Sequence, residues 1–264
     1  MQMLGNIQQM NGRLEITTHI GCPINCTDCP QGLLMSKYKG RKTLDLEDYK
    51  RAISKVPEDV RIDFSGMCEP FANKNCSYMV AYAAAKGHPL ALYTTLQGAT
   101  EEDYRMLKNI SFEVVTIHLP DSDGRSTFRI TDEYLAVLSK WKADYYSCHG
   151  TIDERVLPYI DPKVQVITDM HDRAGNVECR PHRALDPNAP IYCITSGKAL
   201  NHNVLLPDGT LLMCCMDYGM VGVLGNLFEE DYETILASPK ANWLREAFNG
   251  GESICRHCSN AMQI

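Results

Sequence analysis

Three cysteines lie within eight residues near the start of the chain, directly after a run that is typical of a β-strand. They form a C-x3-C-x2-C pattern at Cys22, Cys26 and Cys29, and the strand is predicted over 14–20. So dense a set of thiols predicts a metal centre. Iron–sulfur clusters normally take four thiolates, so three without a nearby fourth would leave one iron open to a small molecule. Two other interpretations remain, a zinc site completed by His19 and three unrelated buried thiols.

The spacing of these cysteines, their place after the first strand, and the flanking Gly21 and Pro23 resemble the radical S-adenosylmethionine (SAM) enzymes. In that superfamily SAM binds the open iron, and an electron from the cluster cleaves it to a 5'-deoxyadenosyl radical. The resemblance implies that the three cysteines are the ligands of a [4Fe–4S] cluster. The sequence departs from the family pattern at Asp28, where an aromatic residue usually packs near the adenine.

Length and composition are those of one globular catalytic domain with a small extension. The chain has 264 residues, of which 44% are apolar and 22% are charged, enough for one large core. The net charge of −7 argues against a nucleic-acid partner. Twelve cysteines, no recognisable export signal and no apolar run of membrane-spanning length predict a cytoplasmic protein without a membrane partner.

Strand-like and helix-like segments alternate through the first two thirds of the chain, as in a parallel α/β sheet. Strands are predicted at 14–20, 60–64, 90–94, 113–119, 145–149 and 164–168. Helical segments are predicted between them, at 44–55, 73–86, 101–108, 131–142 and 153–159. Six β/α repeats are too few for a closed eight-stranded barrel. The family resemblance implies the same fold class, α/β with a partial (β/α)6 radical SAM barrel.

The chain changes character after Thr168. The segments 172–176 and 181–190, rich in glycine or proline, interrupt the α/β rhythm. We therefore predict a barrel over residues 1–170 and a small α+β, twitch-like domain over residues 171–264.

Two local patterns organise the small domain. Pro207-Asp208-Gly209 predicts a hairpin turn between strands at 203–206 and 210–214. Ser238-Pro239 predicts the start of a helix that runs to residue 248.

A second group of cysteines lies in the small domain, at Cys193, Cys214, Cys215, Cys255 and Cys258. Because neighbouring strand residues point to opposite faces, Cys214 and Cys215 are not both expected to reach one metal. The layout, with a Gly-x4-Cys hairpin at Gly209 and a terminal C-x2-C, resembles the SPASM and twitch subfamilies of radical SAM enzymes. That resemblance implies one auxiliary [4Fe–4S] cluster, closed by four thiolates and suited to electron transfer, held by Cys193, Cys214, Cys255 and Cys258. A zinc knuckle is the alternative.

The segment 65–70 follows the second strand, at the edge of the sheet where ligands of α/β proteins bind. Gly66 permits close approach of the backbone, and Glu69 supplies an acceptor for an ammonium group. The segment resembles the Gly-Gly-Glu-Pro element that binds the amino end of SAM, with Met67 and Cys68 in place of glycines. The alternative is an ordinary turn with a solvated Glu69.

Further candidate residues lie at strand ends and at the domain junction. Thr94 and His118 end the third and fourth strands, where the family places contacts to SAM; a structural hydrogen bond is the alternative for His118. Arg173 lies at the junction, where enzymes with SPASM-like tails often carry a similar segment. It could orient a polar substrate, as a catalytic residue, or form a salt bridge between the domains.

Other residues near the junction and the remaining cysteines are assigned structural roles. A solvated basic face is expected of Arg180, His182 and Arg183. Among the cysteines outside the clusters, Cys68, Cys148 and Cys179 are expected to be buried hydrophobes. The alternative is that one of them donates a hydrogen atom to a substrate radical, as an epimerase would require.

These features predict a radical SAM oxidoreductase with SAM and two [4Fe–4S] clusters as cofactors. Its substrate is expected to be small and polar, of sugar or aminocyclitol type, and its electron donor a flavodoxin or ferredoxin. The layout is similar to that of the aminocyclitol dehydrogenase of butirosin biosynthesis. One rival is a radical SAM peptide maturase or epimerase, although the dozen residues before the first strand leave no room for a peptide-recognition module. The other is a zinc-knuckle binding protein.

Overall fold

The fold of the barrel region is a parallel sheet whose strands follow one another in chain order. The structure is a computed structural model that describes residues 12–177, 184–197 and 200–264. Six strands pair in parallel, each with the next. They are β1 (Arg13–Ile16), β2 (Arg61–Phe64), β3 (Leu90–Thr94), β4 (Val114–His118), β5 (Tyr145–Ser147) and β6 (Val166–Ile167). The predicted partial barrel is thereby confirmed.

Helices cover one face of these strands, and most of them start at a residue that caps the first turn. They are α1 (Gln31–Lys37), α2 (Leu46–Ile53), α3 (Cys76–Ala85), α4 (Glu101–Leu107), α5 (Asp132–Leu138) and a 3₁₀ helix (Glu154–Tyr159). Asp45 accepts the amide of Glu47, and Thr100 forms a capping box with Asp103. Helix α1 was not predicted, because it begins after Pro30 without a side-chain cap.

The core lies between the strands and the helices. Leu14, Ile16, Ile62, Phe64 and Leu92 of the first three strands are fully buried there. Burying a side chain of this size stabilises the fold by roughly 1.5–3 kcal/mol. The opposite side of the sheet carries polar residues, and it is there that the site lies.

The carboxy-terminal region extends the same sheet. Its elements are β7 (Ile191–Cys193), β8 (His202–Leu205), β9 (Thr210–Leu212), β10 (Val223–Asn226), α6 (Tyr232–Leu236), α7 (Pro239–Glu246), a 3₁₀ helix (Ile254–His257) and β11 (Ala261–Gln263). The predicted hairpin is present as β8 and β9, and β8 pairs in parallel with β1. One sheet of nine strands therefore runs through both regions, in the order β10-β9-β8-β1-β2-β3-β4-β5-β6. The division at residue 170 stays a prediction.

Some predictions fall on residues that are not described. These are the solvated face of Arg180, His182 and Arg183, the burial of Cys179, and the interpretation of residues 1–11. Within the described ranges, no helix is both long and apolar enough to cross a membrane.

Candidate functional site

The loop between β1 and α1 carries the first three predicted ligands, Cys22, Cys26 and Cys29. Its backbone turns at Gly21 and Asn25, whose φ angles are 98° and 49°. A neighbouring loop holds it in place, because the amide of Thr127 donates to the carbonyl of Ile24 at 2.7 Å. The loop that carries the three thiols is thus shaped by its own turns and held by a backbone contact with the neighbouring loop.

The electrostatics of these thiols suit a cationic cluster. A hydrogen bond from Cys68 lowers the pKa of Cys22 to about 7. Burial raises the pKa of Cys26 to about 12, and the negative charges of Cys29 and Cys22 add to the rise. Three neighbouring thiolates therefore repel one another unless a cation lies between them, and a coordinated thiol is deprotonated outright. The residues present fit the iron–sulfur cluster that the spacing predicts.

The position of His19 does not support the zinc alternative. The Nδ1 atom of His19 lies 2.9 Å from Oγ1 of Thr43, and among the described residues His19 is not part of the cavity wall that the cysteines share. Asp28, which replaces the usual aromatic residue, forms an ion pair with Arg125 at 3.4 Å.

A cavity of about 460 Å³ opens beside the cysteine loop, within the size range of ligand sites. Every site residue predicted in the barrel region and at the junction lines it: Cys22, Cys26, Cys29, Gly66, Met67, Glu69, Thr94, His118 and Arg173. The topology explains this convergence, because the carboxyl ends of parallel strands meet at one edge of the sheet.

Glu69 is a buried carboxylate with a full set of hydrogen bonds. Its Oε1 accepts from the amide of Phe71 at 3.1 Å and from Oγ1 of Thr94 at 2.6 Å. Its Oε2 accepts from the amide and the hydroxyl of Thr95, at 2.6 and 2.5 Å. Burial raises the pKa of Glu69, and the hydrogen bonds from Thr94 and Thr95 oppose that rise. The side chain thus fixes the loop after β2 to the end of β3, and it is not a solvated turn residue.

Glu69→Gln is expected to weaken SAM binding about tenfold and to lower the free energy of unfolding by about 1–3 kcal/mol. The amide nitrogen of glutamine would face donors that now bond to a carboxylate oxygen. Calorimetric titration with SAM and urea denaturation measure the two effects. Glu101→Gln, at an exposed position, is the matched control. An unchanged SAM affinity in Glu69→Gln would contradict this role.

The backbone on the amino side of Glu69 is also fixed. Gly66 has a φ angle of 67°, and a Cβ atom there would lie 2.4 Å from Oγ1 of Thr17. Its amide donates to Oε2 of Glu15 at 3.0 Å, and the amide of Met67 donates to Oγ1 of Thr17 at 3.1 Å. The carbonyl of Met67 accepts from Nε2 of Gln31. Only glycine fits at position 66, because both the dihedral angle and the close approach exclude a side chain.

Both strand-end residues have hydrogen-bond partners within the protein, and Nδ1 of His118 lies 3.3 Å from Oγ of Ser147, as the structural alternative requires. The hydroxyl of Thr94 already donates to Glu69 and accepts the amide of Leu96 at 2.8 Å. His118 stacks on Phe128 with ring centroids 6.1 Å apart. Burial, with the charge of His149 adding to it, lowers the pKa of His118 to about 4. His118 is therefore a neutral wall of the cavity at physiological pH.

Arg173 places a buried guanidinium in the wall of the cavity, where the charge of Glu15 acts on it without forming a direct ion pair. Among the described residues no carboxylate oxygen lies within 4.0 Å of its guanidinium, and its Nε is buried without a hydrogen-bond partner. The group lies over the ring of Tyr218, with 5.8 Å between its Cζ and the ring centroid. Its backbone is left-handed, with a φ angle of 49°. The predicted alternative, a salt bridge between the domains, is not formed among these residues.

The second cysteine set comes together around a small enclosed cavity. Its four predicted ligands, Cys193, Cys214, Cys255 and Cys258, all line that cavity. Strands β7 and β11 pair antiparallel, and the amide of Ile194 donates to the carbonyl of Asn260 at 2.8 Å. Burial raises the pKa of Cys255 and of Cys258 to about 12, with the nearby Cys214 and Cys193 adding to both rises. These four thiols also fit a shared metal cluster.

The expectation that Cys214 and Cys215 do not both reach one metal assumed that both residues lie in a strand. Strand β9 ends at Leu212, so Cys214 and Cys215 lie beyond it, where strand alternation does not apply. Both residues line the small cavity, and Cys215 also lines the large one.

Comparison with known proteins supports this arrangement. Residues 193–259 match the model of SPASM, an iron–sulfur cluster-binding domain, and this range contains all four cysteines. Three solved structures show the fold of the whole chain, which is that of the radical SAM enzymes. The chain has a radical SAM fold that continues into a SPASM domain. The predicted resemblance is thereby confirmed, and the SPASM match favours an iron–sulfur cluster over zinc in the second set.

The three structures differ in how much of their own length is matched. BtrN in complex with AdoMet and 2-DOIA has a TM-score of 0.67 at 18% identity, over 96% of this chain and 94% of that one. Streptococcus suis SuiB bound to the precursor peptide SuiA has a TM-score of 0.58 at 12% identity, over 94% and 70%. Native anSMEcpe with bound AdoMet has a TM-score of 0.54 at 13% identity, over 94% and 86%. No curated protein matches the sequence.

The SPASM domain contains a buried arginine that the sequence analysis did not single out. Arg256, between Cys255 and Cys258, is only 2% exposed. It donates to the carbonyls of Gly251, Asp186, Ala189 and Ala247 at 2.5 to 3.0 Å. These four acceptors lie in three different segments, so the guanidinium fixes the backbone that carries the two cysteines. A C-x2-C motif alone gives no signal of this role.

Arg256→Lys is expected to lower the free energy of unfolding by about 2–3 kcal/mol and to reduce the iron content. A lysine has one nitrogen and cannot reach four carbonyls that surround a planar group. Urea denaturation and iron analysis of anaerobically prepared protein measure the effect. The control is Arg245→Lys, whose arginine bonds to the side chain of Asn242 on the surface of α7. Equal stability of the two variants would contradict the assignment.

A buried ion pair joins the radical SAM sheet to the SPASM domain. Oε1 of Glu15 lies 2.6 Å from Nε2 of His202, because β1 and β8 are neighbours. Burial alone would raise the pKa of Glu15, but His202, Cys215 and Arg173 together outweigh it and lower that pKa. Burial alone would lower the pKa of His202, but the charge of Glu15 raises it. The pair was missed because the parallel pairing of β1 with β8 leaves no signal in the sequence.

Proposed function

We propose that this chain is a radical SAM oxidoreductase that uses SAM and two [4Fe–4S] clusters to oxidise a small polar substrate. When bound, these groups supply the electron and the carbon radical that remove a hydrogen atom from an unreactive C–H bond. The observation that carries the proposal is that the two cysteine sets border adjoining spaces. Five residues line both cavities: Thr195, His202, Cys215, Met216 and Asn260.

Different residues of the large cavity would contact different parts of SAM and of its cluster. The three cysteines of the β1 loop would hold the first cluster and leave one iron for the amino and carboxylate groups of SAM. Gly66 and Met67 would present backbone atoms to the amino end, and Glu69 would keep that backbone in place. Neutral His118 would form a wall that does not repel the positively charged sulfonium.

The substrate class follows from three charged residues in the cavity wall, Arg173, Glu15 and His202. Arg173 offers a guanidinium whose Nε has no partner, and the pair of Glu15 and His202 offers charges of both signs. A molecule rich in hydroxyl or amino groups, such as a sugar or an aminocyclitol, would supply hydrogen-bond partners for these groups, whereas an apolar substrate would leave the Arg173 guanidinium without one. The full-length similarity to a structure that binds a small molecule supports the same class.

Oxidation needs a second electron acceptor, and the SPASM domain supplies a place for one. The four thiols of Cys193, Cys214, Cys255 and Cys258 would close the auxiliary cluster and leave no iron for substrate. A closed cluster next to the substrate space is suited to accepting one electron from a substrate radical. A flavodoxin or ferredoxin would provide the electron that starts the cycle.

The test is turnover of anaerobically reconstituted protein with SAM, a reductant and candidate substrates. With an aminocyclitol deuterated at the reacting carbon, we expect deuterium in 5'-deoxyadenosine and a product that has lost two hydrogens. A peptide substrate is favoured instead by the similarity to SuiB bound to its precursor peptide. Turnover of peptides alone would therefore replace the small-substrate proposal with a maturase. A colourless protein that binds zinc would contradict the proposal as a whole.

A further inference from the structure

A fourth thiol lies beside the cysteine loop, and it comes from a different part of the chain. Cys68 lines the same cavity as Cys22, Cys26 and Cys29. It is half-buried, so the expectation of a fully buried hydrophobe is wrong for this residue. The other cysteine described with that expectation, Cys148, is fully buried as predicted.

The position of Cys68 is close to two of the proposed cluster ligands. Cys68 and Cys22 share one stretch of the cavity wall, and the Cys68 thiol is close enough to Cys22 to lower the pKa of that thiol. The negative charge of Cys29 acts on Cys68 as well. Cys68 therefore faces the group of three thiols and does not point away into the core.

The backbone around Cys68 is fixed on both sides. Met67 is held through its amide by Thr17 and through its carbonyl by Gln31. Glu69 is held by the four hydrogen bonds to its carboxylate. A thiol between two such anchors keeps its place at the edge of the cavity, which is what a ligand needs.

The chemistry of the three-cysteine site leaves a vacancy that this thiol can fill. A cubane has four irons, the β1 loop offers three thiolates, and iron–sulfur clusters are normally held by four. We infer that Cys68 is an exchangeable fourth ligand, which binds the open iron when SAM is absent and leaves it when SAM binds. The inference rests on the proposed function, since it assumes the first cluster and its SAM-binding iron.

The exchange is balanced in protons and electrons. On binding iron, the Cys68 thiol releases its proton to solvent and the sulfur donates an electron pair. When the amino and carboxylate groups of SAM take the iron, the Cys68 thiolate leaves and is protonated again. No oxidation or reduction takes place. The consequence is that SAM must compete with a protein ligand, so that the resting cluster is protected until the cosubstrate arrives.

Mössbauer spectroscopy of ⁵⁷Fe-labelled holoprotein, prepared without added thiols, tests this inference. Without SAM, we expect all irons of the wild-type protein to show sulfur-only coordination. Adding SAM should convert one iron of the first cluster to a site with nitrogen and oxygen ligands. Cys68→Ala should show a distinct iron before SAM is added, and the same SAM-bound spectrum as the wild type afterwards. Cys76→Ala, at a fully buried position in α3, should behave like the wild type.

SAM affinity gives a second measurement. Removing the competing thiolate should make SAM bind at least about threefold more tightly to Cys68→Ala than to the wild type. Cys68→Ser, which keeps a weaker ligand, should lie between them, and it serves if the alanine variant loses iron. A distinct iron in the wild-type protein without SAM would overturn the inference, and so would identical SAM-free spectra of the wild type and Cys68→Ala.

The outcome is separable from that of the proposed function. Wild-type protein that cleaves SAM, but whose SAM-free spectrum does not depend on Cys68, would refute the fourth ligand alone. Protein with no cubane, or with one that never binds SAM, would refute the proposed function as well.

Discussion

Cys26→Ala is expected to reduce reductive cleavage of SAM to the background level. Cys26 is the middle residue of the C-x3-C-x2-C loop, and its thiol is repelled by the charges of both Cys22 and Cys29. A cluster held by only two of the three thiolates would be lost or would bind without an iron suited to SAM. Cys22→Ala and Cys29→Ala should have the same effect. Chromatographic detection of 5'-deoxyadenosine after reduction with dithionite measures it.

The control for these variants is another cysteine that lies away from the cavity. Cys76 is buried at the start of α3 within the core of the barrel, and Cys76→Ala should retain SAM cleavage. Iron analysis of each variant distinguishes loss of the cluster from general unfolding. Substantial cleavage of SAM by Cys26→Ala would contradict the assignment of the first cluster.

Cys255→Ala is expected to stop net oxidation of the substrate and to preserve cleavage of SAM in its absence. Cys255 belongs to the second thiol set, which lines its own cavity and shares only part of its wall with the large cavity that we propose binds SAM. Removing it should cost about half of the bound iron, because one of two cubanes is lost. Product analysis by mass spectrometry and assay of 5'-deoxyadenosine measure the two activities separately.

Two results would contradict the assignment of SAM cleavage to the first cluster and of electron acceptance to the second. If Cys255→Ala oxidised substrate at the wild-type rate, the auxiliary cluster would not be the electron acceptor. If it lost SAM cleavage while keeping the iron of the first cluster, the two sites would not be independent. Glu101→Gln changes an exposed residue at the start of α4 and should change neither activity.

The architecture of the barrel could be predicted because its signals are local. Strand β3 was predicted with the observed bounds, Leu90–Thr94, and the other five barrel strands were predicted within a few residues. Buried parallel strands appear as short apolar runs, and caps such as Thr100 and Thr131 mark the helix starts. Helix α1 has no such cap, and the β7–β11 pair joins segments far apart in the chain, so neither left a local signal.

The site residues that belong to short sequence motifs could be predicted from the sequence. Close spacing identified Cys22, Cys26, Cys29, Cys255 and Cys258. The resemblance of the Gly-x4-Cys hairpin layout to the SPASM and twitch subfamilies identified Cys193 and Cys214, and the Glu-Pro pair identified Glu69. The contacts of Arg256 with Asp186 and Ala189, the ion pair of Glu15 with His202, and the approach of Cys68 to Cys22 join segments that are distant in sequence. Such contacts depend on sheet order and loop positions, which a single sequence does not specify.

The most direct test of the account is whether SAM binds to an iron of the cluster held by Cys22, Cys26 and Cys29. Pulsed electron–nuclear double resonance of the reduced holoprotein can detect this with SAM labelled by ¹⁵N in its amino group and ¹⁷O in its carboxylate. We predict hyperfine coupling of both labels to the reduced cluster in the wild-type protein, and none in Cys26→Ala. A reduced cubane that shows no coupling to either label at saturating SAM would contradict the account.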